Sequence, residues 1–212
     1  MTGSPIKKSV AALIALGAVL GSGAAHAQDK AGPVMLNLKL GPSIPVAIKD
    51  QPSGSSATDV LPVSFSLTLE GGIALDRARQ AYLVLPFQIL VSTKSASAFG
   101  FSYSLTSTRV AVPIGFQYDI PIRAVPGLFL YPRASLGYQA YIVSASGQRD
   151  TTHGLQVAPE FGAKYVLRRR WNFALEPFSL PVSVLFPRDN SGSVQSGWII
   201  DYRINFSAGV NL

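Results

Sequence analysis

The stretch that decides the fold is 198-WIIDYRINFSAGVNL-212. Trp198, Ile200, Tyr202, Ile204, Phe206, Ala208, Val210 and Leu212 fall on one face of an extended chain, and Ile199, Asp201, Arg203, Asn205, Ser207, Gly209 and Asn211 on the other. Side chains alternate across a strand, so one face is apolar throughout while the other carries charges and amides. Strands of soluble sandwiches usually run about five or six residues, whereas a tilted strand crossing a bilayer needs about nine to eleven. The run from Trp198 to Leu212 therefore predicts a membrane-spanning β-strand.

At the other end, Lys7 and Lys8 precede the apolar run Val10 to Leu20, and small residues lead to Ala25-His26-Ala27, the form read by signal peptidase. Residues 1–27 are expected to be a signal peptide cleaved after Ala27, leaving 28–212 as one domain. The apolar run is shorter than the ~20 residues of a spanning helix, and Gly21 and Gly23 end it. With no cysteine, the chain offers neither a lipoprotein anchor nor a disulfide framework. Charged residues are 14% of the chain and the mean hydropathy is +0.28. No segment beyond the signal reaches ~18 consecutive apolar residues, so a closed barrel remains as the way to satisfy every backbone group in lipid.

Period-two segments recur along 28–212, and eight are counted. The first, Val34 to Gly41, sets Leu36, Leu38 and Leu40 outward and is followed by a loop at 42–60. The second, 61–75, sets Val63, Phe65, Leu67 and Leu69 against Ser64, Ser66, Thr68 and Glu70. After a turn at 76–79, the third, 80–92, offers Leu83, Leu85, Phe87, Ile89 and Val91, and a serine-rich loop with aromatics follows at 93–106. The fourth carries Arg109 to Asp119, with a turn at 121–127. The fifth spans 128–143, with a short polar loop from Ser144 to His153. The sixth spans 154–167, and the chain turns at 168–172. The seventh, 173–186, is expected to bulge near Pro177 to Pro181. A loop at 187–197 leads to the eighth. Short and long connections alternate, as expected for short periplasmic turns and longer extracellular loops on an eight-stranded antiparallel up-and-down transmembrane β-barrel, an all-β fold.

These residues resemble the small outer-membrane β-barrels of Gram-negative bacteria, of the OmpA/OmpX type. The resemblance covers the mature chain and rests on the signal peptide, the eight amphipathic segments and the last strand. In that strand Tyr202, Ile204, Phe206, Ala208, Val210 and Leu212 look like the insertion signal read by the barrel-assembly machinery, although the family's last residue is commonly aromatic. The resemblance implies location in the outer membrane, contact with its lipids, and a structural or interactive role through extracellular loops toward an unknown partner, with a monomer expected.

Strand parity points ten charges inward: Lys39, Arg109, Arg133, Lys164 and Arg203, with Glu70, Asp119, Glu160, Glu176 and Asp201. In a narrow lumen unpaired charges are costly, so ion pairs are expected there, giving a filled barrel. A polar track for small solutes is the alternative. Tyr118, Phe129, Tyr131, Tyr165, Trp171 and Phe173 toward one end, with Phe87, Tyr141, Phe186 and Trp198 toward the other, read as two interfacial belts. Pro86, Pro113, Pro132, Pro159 and Pro177 interrupt the strands and keep open a rival reading, an exported soluble barrel binding a small apolar ligand.

Arg77, Arg79, Arg123 and Arg168 to Arg170 collect on the short turns, as solvated residues or as a site for anionic head groups. Dispersed basic residues in an exported chain speak against nucleic acid. His153, expected in an outer loop near Ser144, Ser146, Asp150, Thr151 and Thr152 with Glu160 seven residues on, is the candidate for a lipid-active hydrolase or acyltransferase. The spacing of a lipid A deacylase motif is not present, so no catalytic residue is assigned. The carboxylates Asp50, Asp59, Asp150 and Asp189 are too scattered for calcium, and no metal or cofactor is expected. Loops 42–60 and 93–106 are where a partner is expected.

Overall fold

The structure, a computed structural model, describes residues 33–49, 61–98, 101–145, 148–186 and 197–212. The expected signal peptide and its cleavage point lie outside the described residues, as does the greater part of the expected loops at 42–60 and 187–197. Ten strand segments follow in chain order: β1 Val34–Ile48, β2 Ser64–Ala74, β3 Ala81–Ala98, β4 Phe101–Tyr118, β5 Ile120–Pro121, β6 Leu128–Ala145, β7 Gln148–Leu167, β8 Trp171–Ser179, β9 Val182–Leu185 and β10 Gly197–Asn211. Every pairing is antiparallel, and β1 closes on β10, with Leu36 opposite Val210. β5 continues β4 beyond Asp119 along β6, and β8 and β9 share the place between β7 and β10. The ten segments thus make eight staves of a closed up-and-down barrel.

Alternation dictates what each wall face carries. Outward stand Leu36, Leu38 and Leu40 on β1, Phe65, Leu67 and Leu69 on β2, Leu83, Leu85 and Phe87 on β3, and Val112, Ile114 and Phe116 on β4. The girdle continues through Leu136, Leu155, Val157, Phe173 and Leu175 to Phe206, with Leu69 59% and Phe206 60% exposed. A soluble monomer rarely exposes a contiguous apolar patch above a few hundred Å², and here the apolar surface runs round the molecule. The inner faces carry the buried charges and amides. A soluble barrel enclosing an apolar ligand needs the reverse distribution, so the polarity of the wall selects the membrane-spanning form.

Several expected boundaries are corrected. β1 runs on to Ile48, because Pro42 and Pro45 are taken into the strand: Pro42 faces out opposite Phe65, and the register against β10 shifts between Pro45 and Ala47. The expected loop at 93–106 is a hairpin, paired from Thr93↔Thr106 to Ala98↔Phe101. The expected loop from Ser144 to His153 is also a hairpin, in which His153 pairs with Ala140 and Asp150 with Val143. At the start of β7 Gln148, Arg149, Asp150 and Thr151 are exposed on both faces, so a two-sided polar composition that reads as loop is compatible with strand. β4 and β6 stay paired up to Leu105↔Ala145, so β3, β4, β6 and β7 rise together as one sheet beyond the girdle.

The prolines are placed where the ladder loses least. Between Val84↔Gly115 and Gln88↔Ala111 the β3–β4 pairing lapses, and Pro86 and Pro113 come opposite one another there. Two missing donors then fall on a single pair instead of breaking two separate ones. Pro177 sits where the register shifts between Phe161 and Ala163, and the donor of the Tyr202 hydroxyl reaches its carbonyl at 2.5 Å.

Candidate functional site: the charged lumen and its rims

Lys39, Glu70, Arg109, Asp119, Arg133, Glu160, Lys164, Glu176, Asp201 and Arg203 all lie inside the barrel, none more than 5% exposed. They divide into three layers. In the middle layer Arg133 from β6 meets Glu70 from β2, Glu160 from β7 and Glu176 from β8, the last at 2.8 Å. Lys39 from β1 bridges Glu70 at 2.9 Å and Glu176 at 2.5 Å. Tyr131 donates to Glu176 at 2.8 Å, and the amides of Asn205 and Asn37 donate to Glu176 and Glu70, both at 3.1 Å. Two cations and three carboxylates from five staves are thereby tied into one cluster.

The layer toward the far end joins Arg109 on β4 to Asp201 on β10 through two nitrogens, at 2.5 and 3.1 Å. Arg203 stands 3.5 Å from the same carboxylate and donates to Ser43 at 3.1 Å and Gln88 at 3.0 Å. This layer carries one excess positive charge and the middle layer one excess negative charge, so each offsets the other in a low-dielectric lumen. Toward the end that holds Val34 and Leu212, Lys164 pairs with Asp119, which Gln117 also contacts at 2.8 Å. The Lys164 ammonium lies 5.1 Å from the centre of the Tyr82 ring and 5.8 Å from that of Phe129. Beneath it Met35, Tyr82, Val84, Phe129 and Val166 pack into an apolar layer across the lumen.

Fitting such side chains into eight staves requires small residues on the inner face. Gly162 is one: a Cβ there would stand 2.6 Å from the Tyr131 hydroxyl, so glycine makes the room through which Tyr131 reaches Glu176. Phe129 and Tyr131, expected in an interfacial belt, are buried inside instead. Strand parity, which sets both with Arg133, is the signal that locates them. The last-strand residues Tyr202, Ile204, Phe206, Ala208, Val210 and Leu212 occupy the outer parity of β10, with Phe206 and Leu212 fully on the outside.

His153 is corrected from a loop to the outward face of β7, where its Nδ1 meets the Tyr138 hydroxyl and the two rings stack with centroids 5.9 Å apart. Glu160 points through the opposite side of the wall to Arg133 and is not available to orient His153. The Asp150 carboxylate accepts the Thr151 amide at 2.8 Å. Among the described residues, no nucleophile, base and carboxylate are assembled around this histidine, and no group of three His, Asp or Glu side chains is placed to hold a metal ion.

A closed eight-staved wall, apolar outside and charged inside, defines the class: this is the fold of an integral outer-membrane β-barrel protein. Neisserial surface protein A from Neisseria shares it, with a TM-score of 0.51 and 12% sequence identity over 85% of this chain and 98% of that one. Ail, the attachment invasion locus protein of Yersinia pestis, solved with the heparin analogue sucrose octasulfate, superimposes with a TM-score of 0.46 and 10% identity, covering 84% of this chain and 99% of its own. OprG from Pseudomonas aeruginosa gives a TM-score of 0.45 at 13% identity, over 86% and 98%. No protein-family model and no curated sequence matches the chain.

Proposed function

We propose that the protein is a monomeric, non-conducting outer-membrane barrel that serves as a scaffold, presenting the sheet built from the upper parts of β3, β4, β6 and β7 to a partner outside the cell. The barrel-assembly machinery reads β10 during insertion, and membrane lipids hold the girdle. The observation that carries this reading is the lumen: ten compensating charges tied across it, over an apolar layer from Met35 to Val166. Ion movement would require breaking that network. The two hairpins support the interactive half, because contacts ride on segments that a rigid wall holds clear of lipid.

A narrow water-lined path is the second reading, and one observation favours it. Ser135 Oγ, Gln139 Nε2, Gln156 Oε1 and Ser179 Oγ are buried without a hydrogen-bond partner in the middle and outer lumen, and such atoms usually hold water. Planar-bilayer recording of the refolded protein separates the two. A faster-migrating unboiled band on an SDS gel with no steady current is the expected result. Sustained, ohmic conductance steps would replace the scaffold with the solute path.

A further inference from the structure

Beyond residue 27 the chain has sixteen basic and eleven acidic side chains. The ten lumen residues cancel five against five. Six arginines, Arg77, Arg79, Arg123, Arg168, Arg169 and Arg170, sit on the three short turns at the end holding Val34 and Leu212, against one carboxylate, Asp76. The remaining five basic and five acidic residues also cancel. The whole excess of positive charge is therefore gathered on one rim.

The backbone at these turns adds a second, independent observation. Among the described residues the only non-glycine residues with positive φ are Arg79, at 57°, Arg168, at 51°, and Arg169, at 61°. Glycine, asparagine and aspartate adopt this left-handed conformation more readily than arginine does. At the third turn the chain uses glycine, Gly127, at φ 84°. The turns are closed through Asp76 and main-chain atoms: Asp76 Oδ1 accepts the amides of Gln80 at 2.8 Å and Ala81 at 2.9 Å, the Arg79 amide donates to the Asp76 carbonyl at 3.1 Å, and the Arg170 amide donates to the Leu167 carbonyl at 3.2 Å. Main-chain atoms of this kind are supplied by any residue, so closing the turns does not by itself call for arginine, and strain retained in a sparsely used conformation points to function. Beside them Trp171, half-exposed on the lipid face, carries the Arg170 guanidinium 5.9 Å from its ring centre, which sets the collar at the depth where interfacial rings and head groups meet.

We infer that this rim is a binding collar for anionic phospholipid head groups of the periplasmic leaflet, with guanidinium groups forking onto lipid phosphates. The charge makes the contact salt-sensitive. The collar fixes the depth and tilt of the barrel in its membrane without touching the lumen or the outer sheet.

The protein extracted from membranes in neutral detergent is reconstituted in phosphatidylcholine with a trace of spin-labelled phosphatidylglycerol or spin-labelled phosphatidylcholine. Lipid held at the barrel is then read by electron spin resonance. The wild type is expected to prefer phosphatidylglycerol by roughly fivefold or more at low salt, falling toward parity at about 1 M salt, where the Debye length is ~3 Å. In R79N/R168N/R169N the preference is expected to fall below about twofold while the urea midpoint in phosphatidylcholine stays equal or rises. A folded variant that keeps the preference overturns the inference. If that variant fails to fold, R77Q/R123Q, which leaves every left-handed position untouched, must lose preference in the same direction. Calorimetric binding of inositol hexaphosphate by the wild type with no phosphatidylglycerol preference would assign the rim to a soluble polyanion and overturn the lipid reading.

Discussion

Arg133 is the side chain on which most of the lumen converges. It faces three carboxylates from three other staves, and Lys39 neutralises two of them in part. Burying such charges is worthwhile only while each keeps its partners. Arg133→Met fills a similar volume but takes from Glu160 its ion-pair partner, so a loss of about 3–5 kcal/mol is expected in urea unfolding from lipid vesicles. Adding Glu160→Leu removes the orphaned charge and should recover much of that loss. Equal stability of the single and double variants would show that water, rather than Arg133, neutralises the cluster. Alternation in the sequence is enough to say that Arg133, Glu160 and Glu176 share the inner face. It does not say that Lys39 meets Glu176, 137 positions away, because that contact depends on the curvature and stagger of the closed sheet.

At the scale of the strand, the β3–β4–β6 seam concentrates the irregularity that the sequence spreads over several prolines. Gly137 pairs with Pro113, and a Cβ at 137 would run into the backbone of Pro113 and Val112. Backbone cannot step aside as a flexible side chain can, so Gly137→Ala should destabilise the barrel by about 1–3 kcal/mol, the range for overpacking. Gly197, at the start of β10, has open space where its Cβ would be, and Gly197→Ala should leave the urea midpoint unchanged. Similar midpoints for the two variants would mean that the seam is not closely packed. The sequence marks each proline as a fault in its own strand. Only the register, which brings Pro86 opposite Pro113, turns two faults into one.

Across the whole molecule the apolar girdle and the outer sheet are separable. The outward apolar face of β3 ends near Val91, while β3–β4 pairing continues to Ala98↔Phe101. Removing 95–104 and joining Lys94 to Leu105 through an Asn-Gly turn cuts only pairs above the girdle, since β4 meets β6 from Leu105 downward. The shortened protein is expected to keep its faster-migrating unboiled band and to lose less than about 1 kcal/mol in urea. Failure to form that band would show that the outer sheet supports the barrel itself and would remove the division between scaffold and contact surface.

The sequence by itself determined the wall. Wherever one face meets lipid and the other a crowded lumen, alternation is forced, and Trp198 to Leu212 displays it with Ile199 the one large apolar residue on the inner face. It also determined which charges lie inside and which lie on the short turns, since both follow from parity and connection length. The tertiary structure alone decided the outer hairpins, the meeting of the lumen charges and the inward place of Phe129 and Tyr131. Above the membrane the two strand faces meet the same solvent, so the periodic signal vanishes and strand reads as loop. Inside the barrel, partners come from staves distant in sequence and are matched only when β1 closes on β10.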